Sequence, residues 1–423
     1  MRQDDVVADL RDRFLGDGFL FPDYADYSFA NVPDTILSLF DAPTRRTLPN
    51  DVFAGVETDV ENVVVVLVDG FGYEQWARDQ NKHGFLDRLT EQGTVTPLTS
   101  TYPSETSAAI TTVSTGTQPV EHCLLGWFQY YEELSQVLLT LPFSTLDGEY
   151  APEKFDGLDG RFLFSPPEQT VYERAHEAGV TPTVVMPKRI SRSEHSKLAM
   201  AGADVSGYGD LAHMGRLVRK TLESAAGPSY TYAYVPHVDG VSHQHGTKSP
   251  EYEKMVSKVT GHIQRELVAR LAPEVAAHTL LVVTADHGHL DTDPETNVSL
   301  DTIDGLNEHL KRDADGDPIP AVGSGRNLQF HVREGHVESL RELLEAKLDV
   351  LTLDRKEYTA RGLFGDQEPS AHFEAHAPHL VAVPRDKLVW YDDGELDQIG
   401  SHGGLTPDEM LCPFAVCRLS ALQ

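Results

Sequence analysis

Cysteine is scarce in this chain. Cys123, Cys412 and Cys417 are the three in 423 residues, too few and too odd in number for a disulfide framework. Long apolar runs are missing as well. The longest, Val63 to Val68, falls far short of a membrane span. The opening MRQDDVVADLRDRFLGDG has acids where a signal peptide carries a basic region, and no apolar stretch follows it. The expectation is a reduced, cytoplasmic protein. Basic residues are also in short supply: 35 Lys and Arg face 66 Asp and Glu, a net charge of −31. A surface that negative excludes nucleic acid and anionic membranes as partners. It also repels phosphorylated substrates unless metal ions invert the field locally. Lysine is rarer than arginine and Asp is abundant, a balance expected of a high-salt cytoplasm whose cations screen self-repulsion. The sequence sets no oligomeric state.

Hydrophobic residues make up 40% of the chain, enough for a sizeable core. NVVVVLVDGFG reads as a buried parallel strand ending at Asp69. A helix is predicted over 72–89, a strand near 95–99 and a helix over 107–114. Helices and strands then alternate: 167–178, 183–186, 211–225, 230–235, 250–271 and HTLLVVTADHG. That alternation predicts an α/β fold, a mostly parallel sheet with helices on both faces. Residues 128–165 read as an irregular lobe within the core. From 291 to 395 the texture turns polar and turn-rich, with shorter strands and a helix over 337–348. This predicts an inserted cap subdomain, with 1–290 and 396–423 forming the catalytic core and FAVCRL its last strand.

Four segments place Asp or His at a strand end or beside glycine, where open α/β sheets bind ligands. Asp69 follows the first strand, as a ligand or as a turn residue. In YVPHVDGVSHQHG, Asp239 and His243 are four apart and share a side if the turn is helical; otherwise the loop is merely solvated. LLVVTADHGHL offers Asp286 and His287, or a capped strand-to-loop turn, with His289 as a bystander or outer neighbour. IGSHGGLTPDEM sets His402 among glycines that allow close backbone approach. Three Asp and three His suit two divalent cations roughly 3.5–4 Å apart, clamping the attacking and leaving oxygens of an in-line displacement. Zn²⁺ fits the mixture first, with Mn²⁺ or Fe as alternatives.

A nucleophile is then required. Thr106 falls at the expected start of the helix running to Ser114, beside unsatisfied N–H groups and the positive helix end. There it could attack phosphorus while the Ser107 backbone N–H holds a phosphoryl oxygen, or Thr106 and Ser104 could simply cap the helix. A basic segment, PKRISRSEH (Lys188, Arg189, Arg192), is either a leaving-group contact through Arg189 or a solvated turn.

Together these motifs resemble the alkaline phosphatase superfamily and, within it, the type I phosphodiesterase/nucleotide pyrophosphatase family. VDGFG, YPSETSAAITTVSTGTQPVEH, DGVSH, TADHG and SHGG occur in the family's order and span residues 62–404. The resemblance implies an alkaline-phosphatase-like three-layer αβα sandwich. It implies one metal held by Asp69, Asp286 and His287 with the nucleophile, and another held by Asp239, His243 and His402. The family nucleophile lies ten residues before the glycine of a Thr-Gly pair. Counting back from Gly116 gives Thr106, with Thr101 as the fallback. Two positions depart from the pattern. His122-Cys123 replaces the usual His-Gly, and Trp127 stands where nucleotide pyrophosphatases place a phosphoryl-binding Asn, 21 residues after the nucleophile.

The function expected is metal-dependent hydrolysis of a small phosphodiester or pyrophosphate through a phospho-threonine. The alternatives are a phosphomonoesterase, a phosphonate or sulfate ester hydrolase, a phosphotransferase or mutase on the same scaffold, and a metal binder without catalysis.

Overall fold

Strand β1 (Asn62–Val68) is buried along its whole length. Its alternate side chains serve two separate layers. Val63, Val65 and Leu67 join one apolar cluster, and Val64, Val66 and Val68 join the other, as the two-residue period of a strand requires. The computed structural model describes residues 1–155, 157–391 and 394–423. Around β1 are β2 (Thr94–Thr99), β3 (Thr181–Pro187), β4 (Asp204–Tyr208), β5 (Ser229–Val235), β6 (Thr279–Thr284) and β7 (Leu411–Arg418). They form a seven-stranded sheet in the order β2-β7-β6-β1-β5-β3-β4. Every strand but β7 runs parallel; β7 is antiparallel to both β6 and β2. Helices cover both faces, giving the three-layer α/β sandwich expected.

Register matters more than strand count for the site. Val235 lies opposite Val68 and Thr284 opposite Leu67. The ends of β1, β5 and β6 therefore stand level, and Asp69, the turn before Asp239 and the Asp286-His287 pair emerge along one edge. Leu411 pairs with Thr99, so the loop leading into β7 and the exit of β2 open on the same side.

A second sheet of seven strands, antiparallel throughout, stands over that edge. Its order is Val350–Asp354, Leu380–Pro384, Asn327–Phe330, Val322–Ser324, Phe128–Tyr131, Gln136–Leu139 and Ser144–Thr145. This redraws the division expected from sequence. Residues 128–145 are three strands of the cap's sheet, joined to it where Phe128 pairs with Gly323, rather than an irregular lobe of the core. Nor is the cap a separate body. Leu353, Phe364, Phe373 and Val381 share one apolar cluster with core residues such as Val64 and Tyr102.

Elsewhere the differences are local. The helix expected over 72–89 divides into Tyr73–Asp79 and Gly84–Gln92. The one expected over 250–271 continues past His262 as a π-helical turn, Ile263–Val268. Strand β4 carries no apolar run and is half-exposed at the sheet edge, so no hydrophobic pattern announces it. Among the described residues, no helix is long and apolar enough to cross a membrane, and all three cysteines are free and buried.

Candidate active site

Each candidate side chain is delivered by a strand end. Asp69 directly follows β1. Gly70 turns the chain with φ 72° and gives its N–H to Asp286 Oδ1 at 3.2 Å. A Cβ there would press on the His289 ring and the Asp239 backbone, so the turn admits only glycine. Helix α1 (Thr106–Thr115) begins after β2 with Thr106 in its first turn, and helix α2 (His237–His245) follows β5. On α2, Asp239 and His243 are one turn apart and share a face. Asp286 and His287 follow β6, and His402 lies in the loop before β7.

The six residues converge. His243 Nε2 and His402 Nε2 lie 3.2 and 3.5 Å from Asp239 Oδ1. His287 Nε2 lies 3.3 Å from Asp69 Oδ1 and 3.5 Å from Asp286 Oδ2. The His287 and His402 rings stack with centroids 3.6 Å apart. Thr106 Oγ1 stands 3.2 Å from His287 Nε2 and 3.5 Å from Asp69 Oδ1. The other oxygen of Asp69 accepts a hydrogen bond from the Tyr234 hydroxyl.

Three histidines are wired alike. Nδ1 of His243 faces the Gly400 carbonyl at 2.9 Å, Nδ1 of His287 the Gly288 carbonyl at 3.0 Å, and Nδ1 of His402 the Ser104 carbonyl at 2.9 Å. A carbonyl accepts only, so each Nδ1 carries the hydrogen and each Nε2 offers a lone pair to the cluster. Metal-binding histidines are oriented in this way.

Burial and crowding strain this constellation when no cation is bound. Burial raises Asp286 well above the usual carboxylate range, and the Asp69 charge adds to it. Burial alone would lower His287, but Asp286 and Asp69 outweigh it and push the ring up to about 10. Burial lowers His402, helped by the neighbouring His287. Burial opposes the charge on Asp239, yet His243 and its hydrogen bonds hold that carboxylate well below its ordinary value. Asp286 Oδ2 is buried without a hydrogen-bond partner, a costly state unless a cation completes it. One ligand atom from each of Asp69, Asp239 and His287 lies within 4.8 Å of the others. The same holds for Asp239, His243, His289 and His402. The donor set thus fits two borderline divalent ions.

The sequence leaves His289 as an outer neighbour or a bystander, and its Nε2 sits 3.1 Å from Asp239 Oδ1. The available signal was its spacing from His287, since residues two apart on an extended segment face the same way. Glu105 was missed altogether. It is buried beside Thr106 and accepts from the Trp127 N–H (2.7 Å), the Ser324 hydroxyl (2.7 Å) and the Asn327 amide (3.0 Å). Burial pushes it up to about 7 against those bonds.

A cleft of about 300 Å³ opens above Thr106, lined by Ser107, Trp127, Phe128, Trp390, His243 and His402 among others. Ser107 stands in the first turn of α1, where backbone N–H groups lack intrahelical partners. Trp127 forms part of the cleft wall. Arg189 does not line it. With Lys188 it lies on an exposed turn beyond β3, near Tyr208 and His237. Thr101 is fully buried, its hydroxyl donating to the Pro103 carbonyl at 3.3 Å, and it too lies outside the cleft lining.

Sheet, strand-end cluster and hydroxyl at a helix start together define a phosphoester hydrolase of the alkaline phosphatase superfamily. The chain belongs to the type I phosphodiesterase / nucleotide pyrophosphatase family, whose model matches residues 63–405. Among solved structures, murine ectonucleotide pyrophosphatase / phosphodiesterase 5 is similar at TM-score 0.61 and 16% identity, over 84% of this chain and 87% of that one. Phosphonoacetate hydrolase from Sinorhizobium meliloti 1021 is similar at TM-score 0.60 and 18% identity, over 86% and 95%. No curated protein matches by sequence.

Proposed function

We propose that this enzyme hydrolyses small phosphodiesters or pyrophosphates, with Thr106 as nucleophile at a centre for two divalent cations. Asp69, Asp286 and His287 would hold one cation and Asp239, His243 and His402 the other, with His289 beside the second. Zn²⁺ suits this Asp/His set ahead of Mn²⁺ or Fe. Such cations supply charge neutralisation, a lowered hydroxyl pKa and stabilisation of the departing oxygen. The observation that carries the reading is Thr106 Oγ1 at 3.2 and 3.5 Å from His287 and Asp69, on the floor of the cleft.

The chain's own contribution is positional. Thr106 Oγ1 gives up its proton to solvent and attacks phosphorus; the Thr–O–P bond forms, the bond to the leaving oxygen breaks, and that oxygen takes up a proton from water. The N–H of Ser107 donates to a phosphoryl oxygen at the helix start. Water then cleaves the Thr–O–P bond and restores the hydroxyl. Trp127, Phe128 and Trp390 give the cleft aromatic surface, and among the described residues its lining includes no Lys or Arg. That combination favours a singly charged diester with a flat substituent over a doubly charged monoester or phosphonate.

Assays of bis-p-nitrophenyl phosphate, p-nitrophenyl phosphate and phosphonoacetate with added Zn²⁺ or Mn²⁺ test this. The diester should turn over fastest. Thr106→Ala should lose at least about 10³-fold in kcat with an unchanged circular dichroism spectrum. Preference for phosphonoacetate would overturn the diester assignment, and full activity in Thr106→Ala would overturn the nucleophile.

A further inference from the structure

Cys123 occupies the place where the resembled family has glycine. It ends the short helix Pro119–His122 in the left-handed conformation, φ 60° and ψ 28°, which glycine adopts without cost and a side chain does not. Its side chain is fully buried. Across from it, helix α3 (Ala371–His376) of the cap carries His372 and His376, one turn apart. One ligand atom from each of Cys123, His372 and His376 lies within 4.8 Å of the others.

The hydrogen bonding points to a missing positive charge. His376 Nδ1 donates to the His372 carbonyl at 2.9 Å, so in the neutral ring Nε2 bears no hydrogen. That Nε2 faces Glu133 Oε2 at 3.0 Å. Two acceptors so close repel unless a proton or a cation lies between them. His372 turns its ring toward the Leu163 backbone and leaves Nε2 buried without a partner. This repeats the wiring of the active-site histidines, with one nitrogen on main chain and the other offered inward.

We propose that Cys123, His372 and His376 form a further metal site, for Zn²⁺ or a similarly thiophilic divalent ion, with Glu133 at its edge against His376 Nε2. Bonds of about 2.0–2.3 Å put tetrahedral zinc ligands roughly 3.3–3.7 Å apart, so closure draws the three clustered atoms inward from separations within 4.8 Å. Binding forms a metal–sulfur bond and releases the thiol proton to solvent. A site filled by those three and by Glu133 turned inward from His376 would leave no open position and be structural. It clamps α3 of the cap to the segment that leaves the nucleophile helix. The strained backbone at residue 123 is retained because glycine there would carry no ligand.

The test uses the full chain loaded with metal and then with Co²⁺. Wild type should hold one more ion per chain than Cys123→Gly or His372→Ala, and its cobalt form should show a thiolate-to-metal absorption that both variants lack. Diester hydrolysis should persist in both, since neither residue lines the cleft. Cys123→Gly adds a control that a merely structural cysteine would not pass. In excess chelator it should melt at or above wild type, because glycine relieves the backbone, whereas with Zn²⁺ it should melt below. Equal ion counts, no thiolate band, or equal zinc stabilisation of wild type and Cys123→Gly would overturn the site and leave His376 simply protonated against Glu133.

Discussion

Replacing Arg326 with Met tests how the cap holds the loop that carries His402. Arg326 is fully buried. Its Nε and Nη2 donate to Glu409 Oε1 and Oε2 at 2.9 and 2.8 Å, and Nη1 donates to the Lys387 carbonyl at 2.7 Å. Glu409 in turn accepts from the Gly404 N–H (2.9 Å), the Thr406 N–H (3.2 Å) and the Thr406 hydroxyl (2.6 Å). Removing one partner of a buried pair costs about 3–5 kcal/mol, because the other charge is left uncompensated. The donors from Gly404 and Thr406 soften that loss, and Met fills most of the vacated volume, so about 3 kcal/mol is expected near neutral pH. Burial opposes ionisation of Glu409, but Arg326 and the hydrogen bonds outweigh it and hold the carboxyl below its ordinary range. A depressed pKa adds stability above the unfolded value, and that stability fades as pH falls through the folded value. Without Arg326, burial dominates and the pKa rises, so the variant's deficit should shrink on acidification toward about pH 5. Urea unfolding at the two pH values reads this directly. A neutral-pH deficit under about 0.5 kcal/mol, or one that grows in acid, refutes the reasoning. Arg326→Met with Glu409→Leu should recover much of the loss, since a well-packed apolar pair often replaces a buried ion pair at little cost.

Glu105→Gln should cost about 1–3 kcal/mol and lower kcat more than it raises KM, because the amide must turn a donor toward either Trp127 N–H or Asn327. Burial holds Glu105 up to about 7. Its contribution to stability is therefore complete below the unfolded glutamate pKa and declines as pH rises through about 7, a limb that thermal melts should find flattened in the variant. His289→Ala should weaken metal retention about 10–100-fold in a chelator titration, since Asp239 loses a group that orients it; unchanged affinity contradicts the role. With a net charge of −31, the unfolding midpoint should rise from about 0.1 M to molar KCl as the Debye length falls from about 10 to 3 Å, and a flat response contradicts self-repulsion.

The Asp/His cluster was legible in the sequence because Asp69, Asp286 and His287 follow buried strands, and the outgoing ends of parallel strands share one edge. The Val63–Val68 run and HTLLVVT fix two of those ends by hydrophobicity alone. Asp239 and His243 needed only a helical turn after β5 to share a face. His289 stayed open between outer neighbour and bystander, because its spacing from His287 gives the side it faces but not the Asp239 carboxylate that meets it there. Glu105 escaped because its partners, Ser324 and Asn327, lie more than 200 positions away. The cap was the least readable part. Its sheet is stitched from segments on both sides of the core's crossovers, and the single Phe128–Gly323 pairing that joins them leaves no local pattern. Arg326 looks like any surface arginine until Glu409 is placed opposite it.

The main-chain orientation of the histidines bears on how so acidic a protein takes an anionic substrate. His243, His287 and His402 are each held by a carbonyl, from Gly400, Gly288 and Ser104, where many metal sites use a carboxylate. Carbonyls orient without adding charge. Asp69, Asp239 and Asp286 give the cluster −3 when ionised, and the two divalent cations proposed for it would make it +1. Three further carboxylates in place of the carbonyls would make it −2 and repel a phosphoester. The positions are also protected against drift, because a main-chain acceptor is lost only if the backbone moves. At Gly400 a Cβ would land on the Ser242 carbonyl, so the segment that orients His243 cannot accept a side chain without shifting. With so thin a margin, loss of either proposed cation would turn the field from attractive to repulsive. Metal depletion should therefore raise KM as well as lower kcat, and a fall in kcat at constant KM would show that the substrate is held by the cleft walls rather than by the field of the cluster.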